Sequence, residues 1–198
     1  MDGVLVDISS SWFLVHSKLN VDSKINLVNY LNNKIDYQEF MKRDINLWGK
    51  IHIKTIKEIL YNAPLMSGIE ETIVDLKNKG YKIMILSSGI SLLAEKIKNN
   101  YKLDYCLANE ICVDKDGYIT GEGIGNVPLL EKLLILNKFI IKEKFDEKNI
   151  AVIGDSIYDI PLFEKFNYSI AFNAKSDIMR KARIKIDGKN LINLLQYF

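Results

Sequence analysis

The stretch Asn149–Asp159, NIAVIGDSIYD, decides how this chain is read. Ile150 to Ile153 run without a polar interruption, the pattern of a strand buried on both faces in a parallel sheet. The run stops at Gly154 and gives way to two carboxylates, Asp155 and Asp159, four residues apart. Acidic side chains on the turn leaving a buried strand suit a hard cation such as Mg²⁺, which takes few protein oxygens and keeps some of its water. The plainer alternative is that Asp159 caps the short helix DIPLFEKF that follows.

Working outward, YKIMIL (81–86) is a second apolar strand, ending at Ser87-Ser88-Gly89 just before the helical SLLAEKIKNN. A hydroxyl and free backbone N–H groups at a helix N-terminus form an anion site, although a simple N-cap would have the same sequence. YSIAF (168–172) and RIKID (183–187) read as further strands, and KNLINLLQYF as a closing helix. VPLLEKLLILNKFI (127–140) reads as a helix carrying Lys132, which taken alone is an ordinary solvated lysine. SGIEETIVDLKNKG (67–80) carries a capping box, Ser67 three residues before Glu70, and ends on Gly80. EICVDKDGYITGE (110–122) has strand-like arms around Asp116-Gly117 and predicts a hairpin. Strands alternating with helices predict an α/β fold with a doubly wound parallel sheet, whose site lies at the carboxyl ends of the strands.

The region from about Ser10 to Pro64 predicts only helices. SSWFLVHSKL places Trp12, Val15, His16 and Leu19 on one face, and SKINLVNYL does so with Ile25, Leu27, Val28 and Leu31. YQEFMKRDINLW follows the cap Asp36, and IKTIKEILYNA is closed by Pro64. Trp48 and Tyr37 are expected to fill this helical block, Trp12 and His16 to pack together, and His52 to lie at the surface.

Bulk properties exclude several function classes. Twenty-seven basic against 25 acidic residues leave a net charge of +2, too small to argue for nucleic acid or a membrane surface. Only Cys106 and Cys112 are present, without a CxxC pair, which fits a reduced, cytoplasmic setting. No apolar run reaches the roughly 18 residues of a membrane span. No basic region followed by an apolar stretch marks a signal peptide. A monomer or a homodimer is expected.

DGVLVD at Asp2–Asp7, ILSSG, a lysine in the next helical region and VIGDSIYD occur in that order. Together they resemble the haloacid dehalogenase superfamily of phosphatases, in its phosphoserine phosphatase-like branch. The resemblance spans essentially the whole chain and includes a helical cap inserted between the first two motifs. It implies a Rossmann-like core from residues 1–10 and 65–198 and a cap from residues 11–64. It also implies phosphomonoester hydrolysis through an aspartyl-phosphate, with Mg²⁺ as cofactor and a small phosphorylated metabolite as substrate. By the same resemblance, Asp2 is the general acid/base and offers its carbonyl to Mg²⁺. Ser87, with the N–H groups of Ser88 and Gly89, holds the phosphoryl oxygens. Lys132 neutralises developing charge, Asp155 binds Mg²⁺, and Asp159 is a further ligand or supports one.

The family pattern is a strand followed by Asp-x-Asp-Gly. Met1 stands at x, so the pattern puts the nucleophile one residue before Met1; Asp7, five residues past Asp2, does not replace it. The expected explanation is a chain whose start was assigned to an internal Met, because a sheet without its central strand would leave backbone groups unpaired on both neighbours. A shortened, inactive protein is the alternative. The family's two serine-gripping positions fall on Ser9 and on Asp44, with Arg43 adjacent, and its usual Asn in the last motif is Tyr158. A phosphatase is therefore expected, with phosphoserine itself not assured. A non-catalytic phosphate-binding protein and a phosphotransferase are the alternatives from other classes.

Overall fold

The computed structural model describes residues 1–198. Its first seven residues make tight turns instead of a strand: Val4 and Leu5 both donate backbone N–H groups to the Met1 carbonyl, at 3.1 and 2.8 Å. This stretch then pairs with the far end of the helical region. Asp7 N donates to Pro64 O (2.8 Å) and Met66 N to Leu5 O (2.9 Å), so the chain enters and leaves the helices at one place.

Between those points lie α1 (Ser11–Lys18), α2 (Lys24–Leu31), α3 (Tyr37–Asn46) and α4 (Ile53–Tyr61). Ser10 caps α1 and Asp36 caps α3, each side chain accepting from the backbone three residues on. The structure reverses the expected face of α2. Ile25, Val28 and Leu31 are exposed, whereas Asn26 and Tyr30 are buried. Tyr30 stacks on Phe40 at 5.2 Å and Asn26 donates to Asp44, so specific partners outweigh the apolar stripe. His52 is also more engaged than expected: its ring caps α4 and packs edge-on against Tyr118 at 5.3 Å.

Helix α5 (Ile69–Asn78) leads to β1 (Met84–Ile90), α6 (Ser91–Tyr101) and the strands β2 (Tyr105–Val113) and β3 (Ile119–Ile124). Then come α7 (Lys132–Glu143), β4 (Ala151–Gly154), α8 (Ile160–Lys165), β5 (Tyr168–Phe172), α9 (Ser176–Met179) and β6 (Ile184–Ile186). The predicted capping box does not form. Left-handed Gly68 occupies the N-cap of α5, and Ser67 instead bridges to Asn190. Helix α7 starts at Lys132 rather than Val127, and the closing segment Leu191–Tyr197 is a 3₁₀ helix.

The strands form two three-stranded sheets, β1-β2-β3 and β4-β5-β6, with β1 and β4 each at an edge. β4, β5 and β6 are parallel throughout, β1 and β2 are parallel, and β2–β3 is the predicted antiparallel hairpin. Apolar packing joins the two: Ile170, Phe172 and Ile186 of the second sheet share a core cluster with Ile85 and Ile90 of the first. Met84 and Leu86 of β1 pack in turn on the cluster around Val152 and Phe163. The carboxyl ends of β1 and β4, with Ser87–Gly89 and Asp155, converge on the turn at Asp2-Gly3.

Candidate active site

Two glycines allow these segments to meet. Gly3 has φ +72, and a Cβ there would lie 2.0 Å from Asp155 Oδ2. Only glycine combines that left-handed conformation with so close an approach. A Cβ on Gly89 would lie 2.8 Å from Asp2 Oδ2, which places the end of β1 against the same turn.

Asp2 is held on one side only. Its Oδ2 accepts from Ser11 N at 2.7 Å and Ser11 Oγ at 2.8 Å, while Oδ1 is buried without a partner. An unpartnered buried carboxylate oxygen costs about 1–3 kcal/mol unless something binds it. Its backbone carbonyl also takes none of the hydrogen bonds that close the surrounding turns. The hydroxyl of Ser88 is a second buried orphan, and the neighbouring Ser87 Oγ accepts from Gly89 N at 3.0 Å.

Lys132, the first residue of α7, donates to Asp159 Oδ1 at 2.7 Å, and both side chains are largely buried. The other oxygen of Asp159 accepts from Ser156 Oγ (2.7 Å), Ser156 N (3.0 Å) and Asp155 N (3.2 Å). Three donors thus fall on Oδ2 and one, Lys132, on Oδ1. These contacts have Asp159 supporting Lys132 and the loop, one of the two roles expected for it. Burial alone would raise its pKa, but Lys132 and Ser156 outweigh burial and hold it below the usual carboxylate range.

Asp155 behaves in the opposite way. Burial, and then the charge of Asp159, push its carboxyl up from 3.8 to about 6. The Met1 α-amino group is also enclosed here, lowered by burial, with Asp2, Lys132, Asp159 and Asp155 all acting on it.

The donor set suits Mg²⁺. No three His, Cys, Asp or Glu side chains form an all-protein cage. Mg²⁺ does not require one, since one or two carboxylates suffice when phosphate and water complete the shell. A desolvated Asp155 facing another carboxylate and the unused Asp2 carbonyl are the two hard oxygens it would take.

Sequence reasoning missed Ser11, which is fully buried and bonded to both Asp2 and Ile90 N (3.0 Å). Nothing in the triplet Ser9-Ser10-Ser11 marks its last member, so only the fold could identify it. The three positions weighed for serine recognition do not converge: Ser9 is exposed, and Arg43 pairs with Glu39 at 2.6 Å on the surface. Asp44 is buried against His16 Nε2 (3.2 Å) and Asn26 Nδ2 (2.8 Å). Asp7 forms an ion pair with Lys189 at 2.8 Å.

The chain matches the haloacid dehalogenase-like hydrolase family over residues 37–164. It is 33% identical over 169 residues to a phosphoserine phosphatase of Methanocaldococcus jannaschii, covering 84% of this chain and 79% of that protein. It is 28% identical over 207 residues to a phosphoserine phosphatase of Wolinella succinogenes, covering 100% and 94%. A solved structure described as a substrate-bound phosphoserine phosphatase complex superposes with a TM-score of 0.83 at 29% identity, covering 100% of this chain and 95% of that one. No helix is long and apolar enough to cross a membrane. The chain belongs to the haloacid dehalogenase-like hydrolases and, within them, resembles the phosphoserine phosphatases.

Proposed function

We propose that this protein is a Mg²⁺-assisted phosphomonoester hydrolase acting on a small phosphorylated metabolite. The observation that carries this reading is the meeting of Lys132–Asp159, Asp155, the half-satisfied Asp2 and the Ser87–Gly89 loop at one strand-end cluster. Phosphoryl transfer asks chiefly for positioning and neutralisation of charge on the phosphoryl oxygens. Ser87 and the N–H groups of Ser88 and Gly89 hold those oxygens, and Lys132, kept in place by Asp159, neutralises charge as it develops. Mg²⁺, held by Asp155 and the Asp2 carbonyl, supplies further electrostatic stabilisation when bound.

Asp2 handles the protons. Its carboxyl gives a proton to the leaving ester oxygen as the P–O bond breaks, and later takes one from the water that attacks phosphorus. By the family pattern the attacking carboxylate is the first Asp of Asp-x-Asp-Gly, of which Asp2 is the second. It forms an aspartyl-phosphate bond, which water then cleaves to release phosphate and restore the carboxylate. The substrate's alcohol portion is not fixed as serine: Arg43 is engaged with Glu39, and Asp44 faces the helical interior.

The test is a phosphatase screen over phosphorylated metabolites, phosphoserine included, with and without Mg²⁺. It compares the protein with its Lys132→Ala and Asp155→Asn variants. Metal-dependent turnover by the unmutated protein, lost in both variants, is expected. Equal turnover by all three would refute the placement of the site.

A further inference from the structure

The Ser88 carbonyl, in the loop that ends β1, is gripped from two sides. Trp12 Nε1–H donates to it at 3.0 Å from α1, and Asn109 Nδ2–H at 2.8 Å from β2. Neither donor is free to swing. Asn109 is fully buried, its Oδ1 accepts from Val127 N at 2.8 Å, and its amide also reaches the Tyr37 hydroxyl at 2.7 Å. The Trp12 ring is stacked on Trp48 with centroids 5.5 Å apart and planes 26° apart.

The Ser88–Gly89 peptide is planar, so fixing its carbonyl fixes the direction of the Gly89 N–H on the opposite side. That N–H points at Ser87 Oγ, 3.0 Å away. A carbonyl accepting two hydrogen bonds also polarises its peptide unit and makes the attached N–H a stronger donor.

We propose that Trp12 and Asn109 are positioning residues of the anion-holding loop, which through the Ser88 carbonyl set the direction and strength of the Gly89 N–H. Trp12 belongs to the inserted helices, so the loop is fully formed only when those helices are seated. The proposal rests on the reading of Ser87–Gly89 as the phosphate-holding loop.

Trp12→Phe keeps a ring for the Trp48 stack and removes only the N–H. Without ligand, amide exchange at Gly89 is expected to rise about tenfold, the scale of one lost neutral hydrogen bond. The dissociation constant for inorganic phosphate with Mg²⁺, measured by calorimetry, should rise by about five- to tenfold. Trp48→Phe, which removes the other indole N–H of the chain, should leave both values unchanged. Coupling is reciprocal, so in the unmutated protein saturating phosphate should slow exchange of the Trp12 indole N–H several-fold and leave that of Trp48 unaffected. Unchanged Gly89 exchange in Trp12→Phe, or equal loosening by Trp48→Phe, overturns the proposal. Failure of the unmutated protein to bind phosphate would count against the phosphatase reading, and Gly89 exchange would then decide the grip by itself.

Discussion

The helical region and the strand-end cluster both bury aspartates, and they treat them differently. In the helices, Asp44 receives Asn26 on one oxygen and His16 on the other. Trp48 Nε1–H donates to His16 Nδ1 at 2.9 Å, and an indole can only donate, so the imidazole is neutral with its proton on Nε2, directed at Asp44. Every partner in that chain is matched. At the strand ends, Asp2 keeps an orphan oxygen, Asp155 is raised to about 6, and Lys132 is balanced by Asp159 alone. A closed network adds rigidity to a fold, whereas an open one of like charges stays ready for a cation and an anion.

Lys132→Ala should separate the two regions most sharply. Loss of the only lysine bonded to the cluster is expected to weaken phosphate binding by about a hundredfold, on the scale of a buried charged donor, with the helices intact. Calorimetric titration with phosphate and Mg²⁺ reads the first effect and circular dichroism the second.

Asp44→Ala should do the reverse. It strands the His16 N–H and the Asn26 amide in the interior and is expected to cost about 2–4 kcal/mol by urea unfolding. A phosphate affinity that fell as far as that of Lys132→Ala would merge the two networks into one.

The pH dependence follows from Asp155. Its folded value of about 6 lies above the ordinary 3.8, so the folded state binds the proton more tightly. This group's contribution to stability is full below pH 3.8 and is lost as the pH rises through about 6. The opposite loss from Asp159, whose value is lowered, falls in more acidic solution. Without metal, the protein should therefore melt higher at pH 5 than at pH 7.5. Asp155→Asn should flatten the difference and be more stable at pH 7.5 by roughly 1–2 kcal/mol. Mg²⁺ should raise the melting temperature more at pH 7.5 than at pH 5, because it needs the ionised carboxylate. A melting temperature indifferent to Mg²⁺ at both pH values would remove Asp155 as its ligand.

Trp48→Phe is expected to give the smallest effect, about 1 kcal/mol from one lost hydrogen bond, in the helices alone.

The same contrast marks how far the sequence could be read. Two strand ends stood out because a short uninterrupted apolar run that stops abruptly at polar residues marks the end of a buried strand. Ser87 and Asp155 could be picked out on that basis before any distance was known, whereas Asp2 and Lys132 came only from the resemblance of four motifs in order to a family. The helical region was legible as helices, yet its inward faces were not. In α2 the apolar stripe Ile25, Val28 and Leu31 points outward while Asn26 and Tyr30 point in. Periodicity weighs residues by apolar character and is blind to partners such as Asp44 and Phe40 that lie far along the chain.

Local chemistry in the sequence therefore determined the alternation of strands and helices, the hairpin at Asp116-Gly117, and the polar residues that close the buried strands. Those features depend on neighbours within a few positions. Tertiary structure alone decided that Asp159 holds Lys132, that Ser11 anchors Asp2, and that Asp44 is spent on His16 and Asn26. Each of these depends on which of several donors comes within about 3 Å of a carboxylate, a matter of packing that one-dimensional spacing does not encode.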